Sequence, residues 1–233
     1  MTSKIATLTQ KDDLSIITLD DGKANAFSSE MILTLNELLA LVPRDKGALV
    51  IKGRDGIFSG GFDLKTLAAG DMQQIFKMVS LGYKLLLELF SFERPIVAAV
   101  SGHSIALGLF VTCCADYRIG KEGSFICQAN EVRNNMDIPV QIMEIIKARV
   151  NKNYFYSAVY HSEAYSMEDS ILVGYIDQVV SSETFTECVI EKAKDLASLP
   201  HPYYANSKKA AQHDIVEKID RGIKKYERQI GIE

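Results

Sequence analysis

Gly56-Ile57-Phe58-Ser59-Gly60-Gly61-Phe62-Asp63-Leu64-Lys65 is the stretch on which the fold turns. It reads as the end of a strand, a Gly-Gly turn and the entry to a helix at Asp63. Paired glycines reach dihedrals closed to other residues and let backbone approach a ligand. N–H groups at such a turn can face an anion. The plain alternative is an ordinary turn. A second stretch, 100–108, repeats the theme: an apolar strand runs through Ser101-Gly102-His103-Ser104 into an apolar helix over 105–115. The first N–H groups of a helix lack intrahelical partners and suit a developing negative charge. Two such turns, each offering one N–H, can make an oxyanion hole.

Outward from these turns, short apolar runs predict strands at Leu14–Leu19, 48–51, Ile96–Val100, 117–119, 124–127 and 175–180. Ile96–Val100 is continuously apolar, as a strand buried on both faces should be. Between them lie helical patterns. Ser28 or Ser29 caps one that ends before Pro43, Asp71 caps a long one reaching Phe90, and Pro139 opens Val140–Arg149. Ser166 and Asp169 form a capping box with Gly174 as the stop. Beyond Glu183 the pattern is helical, broken at Pro200-His201-Pro202. The class is α/β, with a loose strand-strand-helix rhythm.

The 233 residues carry 47% hydrophobic and 24% charged side chains, which suits a folded globular chain rather than a disordered one. A formal charge of −4 argues against nucleic acid as a partner. The longest apolar run, 11 residues over 105–115, is too short to span a bilayer. Met1 to Thr7 holds no apolar signal core, which predicts a cytoplasmic protein. Cys113, Cys114, Cys127 and Cys188 form no CxxC pair, so they read as small buried hydrophobes rather than metal or redox ligands.

GxGxxG, HExxH and EF-hand patterns are absent, and Gly56-Ile-Phe-Ser-Gly-Gly61 is followed by Phe62 rather than by the lysine of a phosphate loop. Gly102-His103-Ser104-Ile105-Ala106 is one residue short of GxSxG, with Asp177 and then His201 or His213 downstream. A serine esterase using Ser104 is therefore a rival reading, although Ala106 breaks its motif and it leaves the Gly60-Gly61 turn unexplained.

Together the segments resemble the enoyl-CoA hydratase/isomerase, or crotonase, superfamily. The matching stretches are Gly22-Lys23-Ala24-Asn25-Ala26-Phe27, Phe58 to Lys65, Gly102 to Gly108, Ala115-Asp116-Tyr117-Arg118-Ile119, Asn130-Glu131-Val132 with Met136 to Pro139, and Glu163 to Val180. They stand in family order and at family spacing. The resemblance implies a crotonase-like spiral of strand-strand-helix units over 1–182, with a helical, oligomer-forming region over 183–233. It implies acyl-CoA chemistry of the kind found in fatty acid metabolism. The thioester oxygen would lie between the N–H groups of Phe62 and Leu107, and coenzyme A would run along Lys23, Ala24, Ala26 and Phe62, Asp63, Leu64, Lys65. Coenzyme A enters as part of the substrate, and no other cofactor and no metal is implied.

Departures from the family pattern shape the expected chemistry. Hydratases use two glutamates. The first falls at Phe110, which cannot transfer a proton, while the second is Glu131. Asn135 stands where a glycine is expected, and Ala106 and Leu107 replace glycines of the second turn. The expected reaction is therefore enolate formation with Glu131 as the single acid/base, easier for isomerisation than for hydration; a CoA-binding paralogue with little activity is the other alternative. His103 and Asp116 read as structural, Asp63 as a helix cap, and Tyr154, Tyr156 and Tyr160 as packing. A homotrimer or hexamer is implied by the resemblance. The apolar stripe Ile215, Ile219, Ile223, Tyr226 and Ile230, which must bury against something, points the same way or packs on its own core.

Overall fold

A computed structural model describes residues 5–231, so the first four residues of the expected core and the last two of the expected helical region lie outside the described residues. The chain runs β1 (Ala6–Lys11), β2 (Leu14–Leu19), α1 (Ser29–Ala40), β3 (Ala48–Lys52), β4 (Gly56–Ser59), α2 (Leu64–Ala69) and α3 (Met72–Phe90). It continues through β5 (Ile96–Val100), β6 (Gly102–Ile105), α4 (Leu107–Cys114), β7 (Tyr117–Lys121), β8 (Ile126–Gln128) and α5 (Val140–Arg149). Last come β9 (Tyr165–Ser166), α6 (Asp169–Val173), β10 (Gln178–Val180), α7 (Phe185–Ala197) and α8 (Tyr203–Ile230).

Two sheets result. The larger has the order β1-β2-β3-β5-β7-β10, parallel except for the β1–β2 hairpin. The smaller has the order β4-β6-β8-β9. The pairs β3/β4, β5/β6 and β7/β8 each send one strand to each sheet, and successive pairs stack in parallel. This is the strand-strand-helix spiral expected of the crotonase fold. The stacking is close: a Cβ on Gly102 would sit 1.9 Å from the carbonyl carbon of Gly56.

Strand periodicity divides the large sheet. Leu49, Ile51, Ile96, Ala98 and Val100 face the main core, whereas Ala48, Val50, Val97 and Ala99 face a second cluster closed by Phe185, Val189 and Ala193 of α7. Both faces are thus covered, which is why these strands read as unbroken apolar runs. The caps fall where the sequence puts them: Ser28 Oγ accepts the Met31 N–H, and Asp71 accepts those of Gln73 and Gln74. Ser166 Oγ accepts the Asp169 N–H, and Gly174 closes α6 in the left-handed region.

Three expectations need correction. Ser101 to Ser104 is not a turn: Gly102–Ile105 is strand β6, held between β4 and β8, and the turn moves on to Ala106. The strand expected over 175–180 is confined to Gln178–Val180. The apolar stripe of α8 is covered within the chain: Ile219 and Ile223 are buried, Ile215 and Tyr226 half-buried, as α8 packs on α3 and α5. That stripe therefore lends no separate support to assembly. No helix among the described residues is long and apolar enough to cross a membrane.

Candidate active site

The Gly60-Gly61 turn is fixed from the loop before α1. Asn25, fully buried, donates its side-chain amide to the carbonyls of Leu19 and Phe58, both at 3.1 Å. Asp21 accepts the N–H groups of Lys23 (2.7 Å), Asn25 (2.8 Å) and Ala26 (2.9 Å). The Ser59 hydroxyl donates to the Asn25 carbonyl at 2.7 Å and accepts the Gly61 N–H at 3.1 Å. Gly60 N–H reaches the Ala24 carbonyl at 2.9 Å, and Phe27 N–H reaches that of Gly61 at 2.8 Å. With its neighbours so tied, the Phe62 N–H meets no acceptor among the described residues.

The second turn comes against the first. A Cβ on Gly61, whose φ is +94°, would lie 2.8 Å from the Ala106 Cβ and 3.3 Å from the Leu107 nitrogen. Leu107 begins α4, and its N–H likewise meets no acceptor among the described residues. Two unpartnered N–H groups thus flank one close backbone contact, the arrangement that stabilises an oxyanion. Ala106 holds φ +51° and ψ −127°, a conformation costly for any residue but glycine. Gly61→Ala is expected to lower stability by about 2 kcal/mol and to displace the Leu107 N–H. Thermal unfolding and thioester affinity would both register the change.

Glu131 leads into a 3₁₀ turn, Val132–Asn134, closed by Asn135 at φ +58°. Asparagine tolerates that left-handed position, so the departure from glycine is accommodated. The Glu131 carbonyl accepts the N–H groups of Asn134 and Met136, both at 2.9 Å. Its carboxyl is buried, with Oε2 lacking a hydrogen-bond partner, and burial pushes its pKa up to about 7.

A cavity of about 540 Å³ joins these parts. Phe62, Leu67, Val79, Phe110 and Ile142 give it an apolar wall, and Glu131, Asn130 and Tyr83 also line it. Leu64, 73% exposed, stands at its rim. Lys23 and Ala24 are exposed and Ala26 half-buried in the loop that the Gly60–Ala24 bond ties to the Gly60-Gly61 turn, and Lys65 is exposed in the first turn of α2. Asp63 caps α2 through the Thr66 N–H at 3.0 Å. Among the described residues no group of side chains could hold a metal ion.

The esterase constellation is not assembled. Ser104 is fully buried and hydrogen-bonds the Thr112 hydroxyl at 2.9 Å; Asp177 grips Arg118 at 2.6–2.7 Å; His201 and His213 line a different cleft. His103 accepts the Ile126 N–H through Nδ1 at 3.2 Å, a structural role. Two residues of the cavity escape a reading of the sequence. Tyr83 looks like one more apolar position of α3, yet its ring lines the cavity beneath Tyr226, with centroids 5.2 Å apart. Burial, then the neighbouring Tyr226 and Glu131, raises its pKa. Asn130 has only its place beside Glu131 to signal it.

Comparison with known proteins identifies the family and the fold. The family model for enoyl-CoA hydratase/isomerase matches residues 9–230. A carnitinyl-CoA dehydratase of Salmonella enteritidis is 25% identical over 198 residues, 82% of this chain and 74% of that one. The crystal structure of an enoyl-CoA hydratase from Mycobacterium ulcerans superposes with a TM-score of 0.92 at 33% identity, covering 97% of this chain and 100% of that one. An enoyl-CoA isomerase of Mycobacterium tuberculosis superposes with a TM-score of 0.90 at 34% identity, covering 97% and 98%.

Proposed function

The chain belongs to the enoyl-CoA hydratase/isomerase family, and from that premise we propose that it moves a proton on an enoyl-CoA thioester, shifting the double bond rather than adding water. The carrying observation is the buried Glu131 carboxyl, unpartnered at Oε2, in a cavity whose opposite proton-handling position is Phe110. Ionised Glu131 takes a proton from the carbon α to the thioester, between it and the 3-enoyl double bond. The electron pair moves to the thioester oxygen, where the Phe62 and Leu107 N–H groups stabilise the enolate. The Glu131 acid then returns the proton to a different carbon, and the double bond has migrated. Water addition needs a second group to handle the water's protons, and a phenyl ring has no proton to give.

Coenzyme A is read as lying along 23–26 and 62–65, where the exposed Lys23 and Lys65 supply positive charge for its phosphates. A trimer or a dimer of trimers is part of the proposal. A monomeric mass by light scattering, with full activity, would remove it.

Turnover of a 3-enoyl-CoA and of crotonyl-CoA, with mass-spectrometric identification of products in ²H₂O, tests the reaction. Double-bond migration with deuterium uptake and little hydration is the expected result. Hydration of crotonyl-CoA at the rate of an efficient hydratase would overturn it. Phe110→Glu is expected to raise crotonyl-CoA hydration at least about tenfold, since it supplies the second acid/base. The burial of a new carboxyl there costs about 1–3 kcal/mol of stability, so the comparison belongs at a temperature where both proteins stay folded.

A further inference from the structure

The segment that carries Glu131 is tied at both ends to one residue. Gln128, the last residue of β8, donates its side-chain amide to the Ser162 carbonyl at 2.8 Å, and the Ser162 hydroxyl accepts the Arg133 N–H at 3.4 Å. Arg133 also donates from its guanidinium to the His161 carbonyl at 3.2 Å. Ser162 is buried and holds φ +51°, a left-handed conformation that glycine adopts freely and serine does not. Such a residue persists only where its surroundings over-determine it. A π-helical turn, Tyr156–Tyr160, leads into this corner, with the His161 N–H on the Tyr156 carbonyl at 3.0 Å; turns of that kind are rare and gather at functional sites. The Glu131 carboxyl depends on such a hold. Among the described residues no other side chain hydrogen-bonds it, so its aim is set by its main chain. Gln128 also reaches the opposite way: its carbonyl accepts the Ala106 N–H at 2.9 Å, one residue before the Leu107 donor. The main chain of Gln128 thus fixes the oxyanion turn, and its side chain fixes the corner that fixes the Glu131 segment.

We propose that Gln128 and Ser162 are positioning residues, a clamp that holds the Glu131 carboxyl in register with the Ala106-Leu107 turn during proton transfer. The inference rests on the reading of Glu131 as the acid/base. Neither Gln128 nor Ser162 lines the cavity, so the clamp acts through Glu131 and not on the substrate. Serine suits the corner because its hydroxyl gives the Arg133 N–H an acceptor that glycine lacks. A reacting group displaced by about 1 Å loses on the order of 10²-fold in rate, which is the scale on which such a clamp matters.

Turnover of a 3-enoyl-CoA and thioester affinity by calorimetry, on the full chain carrying Gln128→Met or Ser162→Gly, test this. Methionine keeps the reach of the side chain and loses the donor; glycine loses the hydroxyl and keeps the carbonyl. Both variants leave the Gln128 carbonyl, and so the bond to Ala106, in place. Gln128→Met is expected to lower kcat about 10–100-fold and Ser162→Gly about threefold or more, with thioester affinity kept within about twofold. Ser162→Gly should melt close to wild type, because the strain it relieves offsets the bond it loses, so its lower rate is not unfolding. The deciding measurement repeats both changes in the Glu131→Gln background. A clamp that acts through Glu131 has nothing left to position there, so deuterium exchange into the thioester should fall by no more than about twofold further. Unchanged kcat in either single variant, an affinity that falls as far as kcat, or a full further loss in the Glu131→Gln background would overturn the clamp and leave Glu131 its role. Wild-type exchange in Glu131→Gln alone would overturn the reading of Glu131 and the clamp with it.

Discussion

Glu131→Gln is expected to lower thioester α- or γ-proton exchange by about 10³-fold, within the range lost with a general acid/base, while thioester affinity stays within about twofold. The residue is the one buried carboxyl in the cavity, and its amide replacement is nearly isosteric. The same variant should be more stable at alkaline pH. Burial raises the folded-state pKa of Glu131 from an ordinary 4.5 to about 7. Between those values the folded chain holds a proton that the unfolded chain has released, so stability falls as pH rises from about 4.5 to about 7. A shift of this size is worth about 3 kcal/mol at most. The replacement amide cannot ionise, so the variant is expected to gain about 2 kcal/mol over wild type at pH 8 and nothing at pH 4. Denaturant titration at the two pH values measures this. In wild type, kcat/KM should rise with pH through about 7 as the base ionises. A flat profile, or an amide variant that exchanges protons at the wild-type rate, would remove Glu131 from the mechanism.

Phe62→Pro carries the second large effect. The neighbours on either side take the bonds to Phe27: Gly61 accepts the Phe27 N–H, and the Asp63 N–H reaches the Phe27 carbonyl at 3.4 Å. The Phe62 N–H takes no part in that bridge. Proline deletes this one donor, and the glycine before it tolerates the restriction that proline imposes. A rate loss of about 10²–10³-fold is expected, as for removal of one oxyanion donor. Proline also deletes a ring that packs against Gly82 and lines the cavity. Phe62→Ala is therefore the reference: it removes the ring and keeps the N–H. The expected outcome is a kcat for Phe62→Ala well above that of Phe62→Pro, with circular dichroism confirming that both fold. Equal rates in the two variants would show that the ring, not the N–H, had mattered.

Much of this was written locally. Ser28, Asp71 and Asp63 cap helices through bonds to residues two or three positions on, so a short window of sequence contains both partners. The same holds for Ile96–Val100, whose unbroken apolar run already states that both faces are covered. Glu131 and Phe110 were legible because a family motif marks their places, and the loss of one carboxyl is visible as a letter. Only the tertiary structure decided the rest. Gly102–Ile105 looks like a turn until β4 and β8 supply its hydrogen bonds from 46 and 23 residues away, counted from the Gly56–Gly102 and Ser104–Cys127 pairs. Tyr83 and Asn130 are an apolar-stripe residue and a loop amide in the sequence; they line one cavity in a fold that packs α3 on α5. The α8 stripe needed a cover, and nothing in its periodicity could say that the cover was α3 and α5 of the same chain. Phe110 in place of the first glutamate already points to a raised pKa for Glu131, but its extent is set by desolvation from everything packed around the group, and those atoms come from segments far apart along the chain.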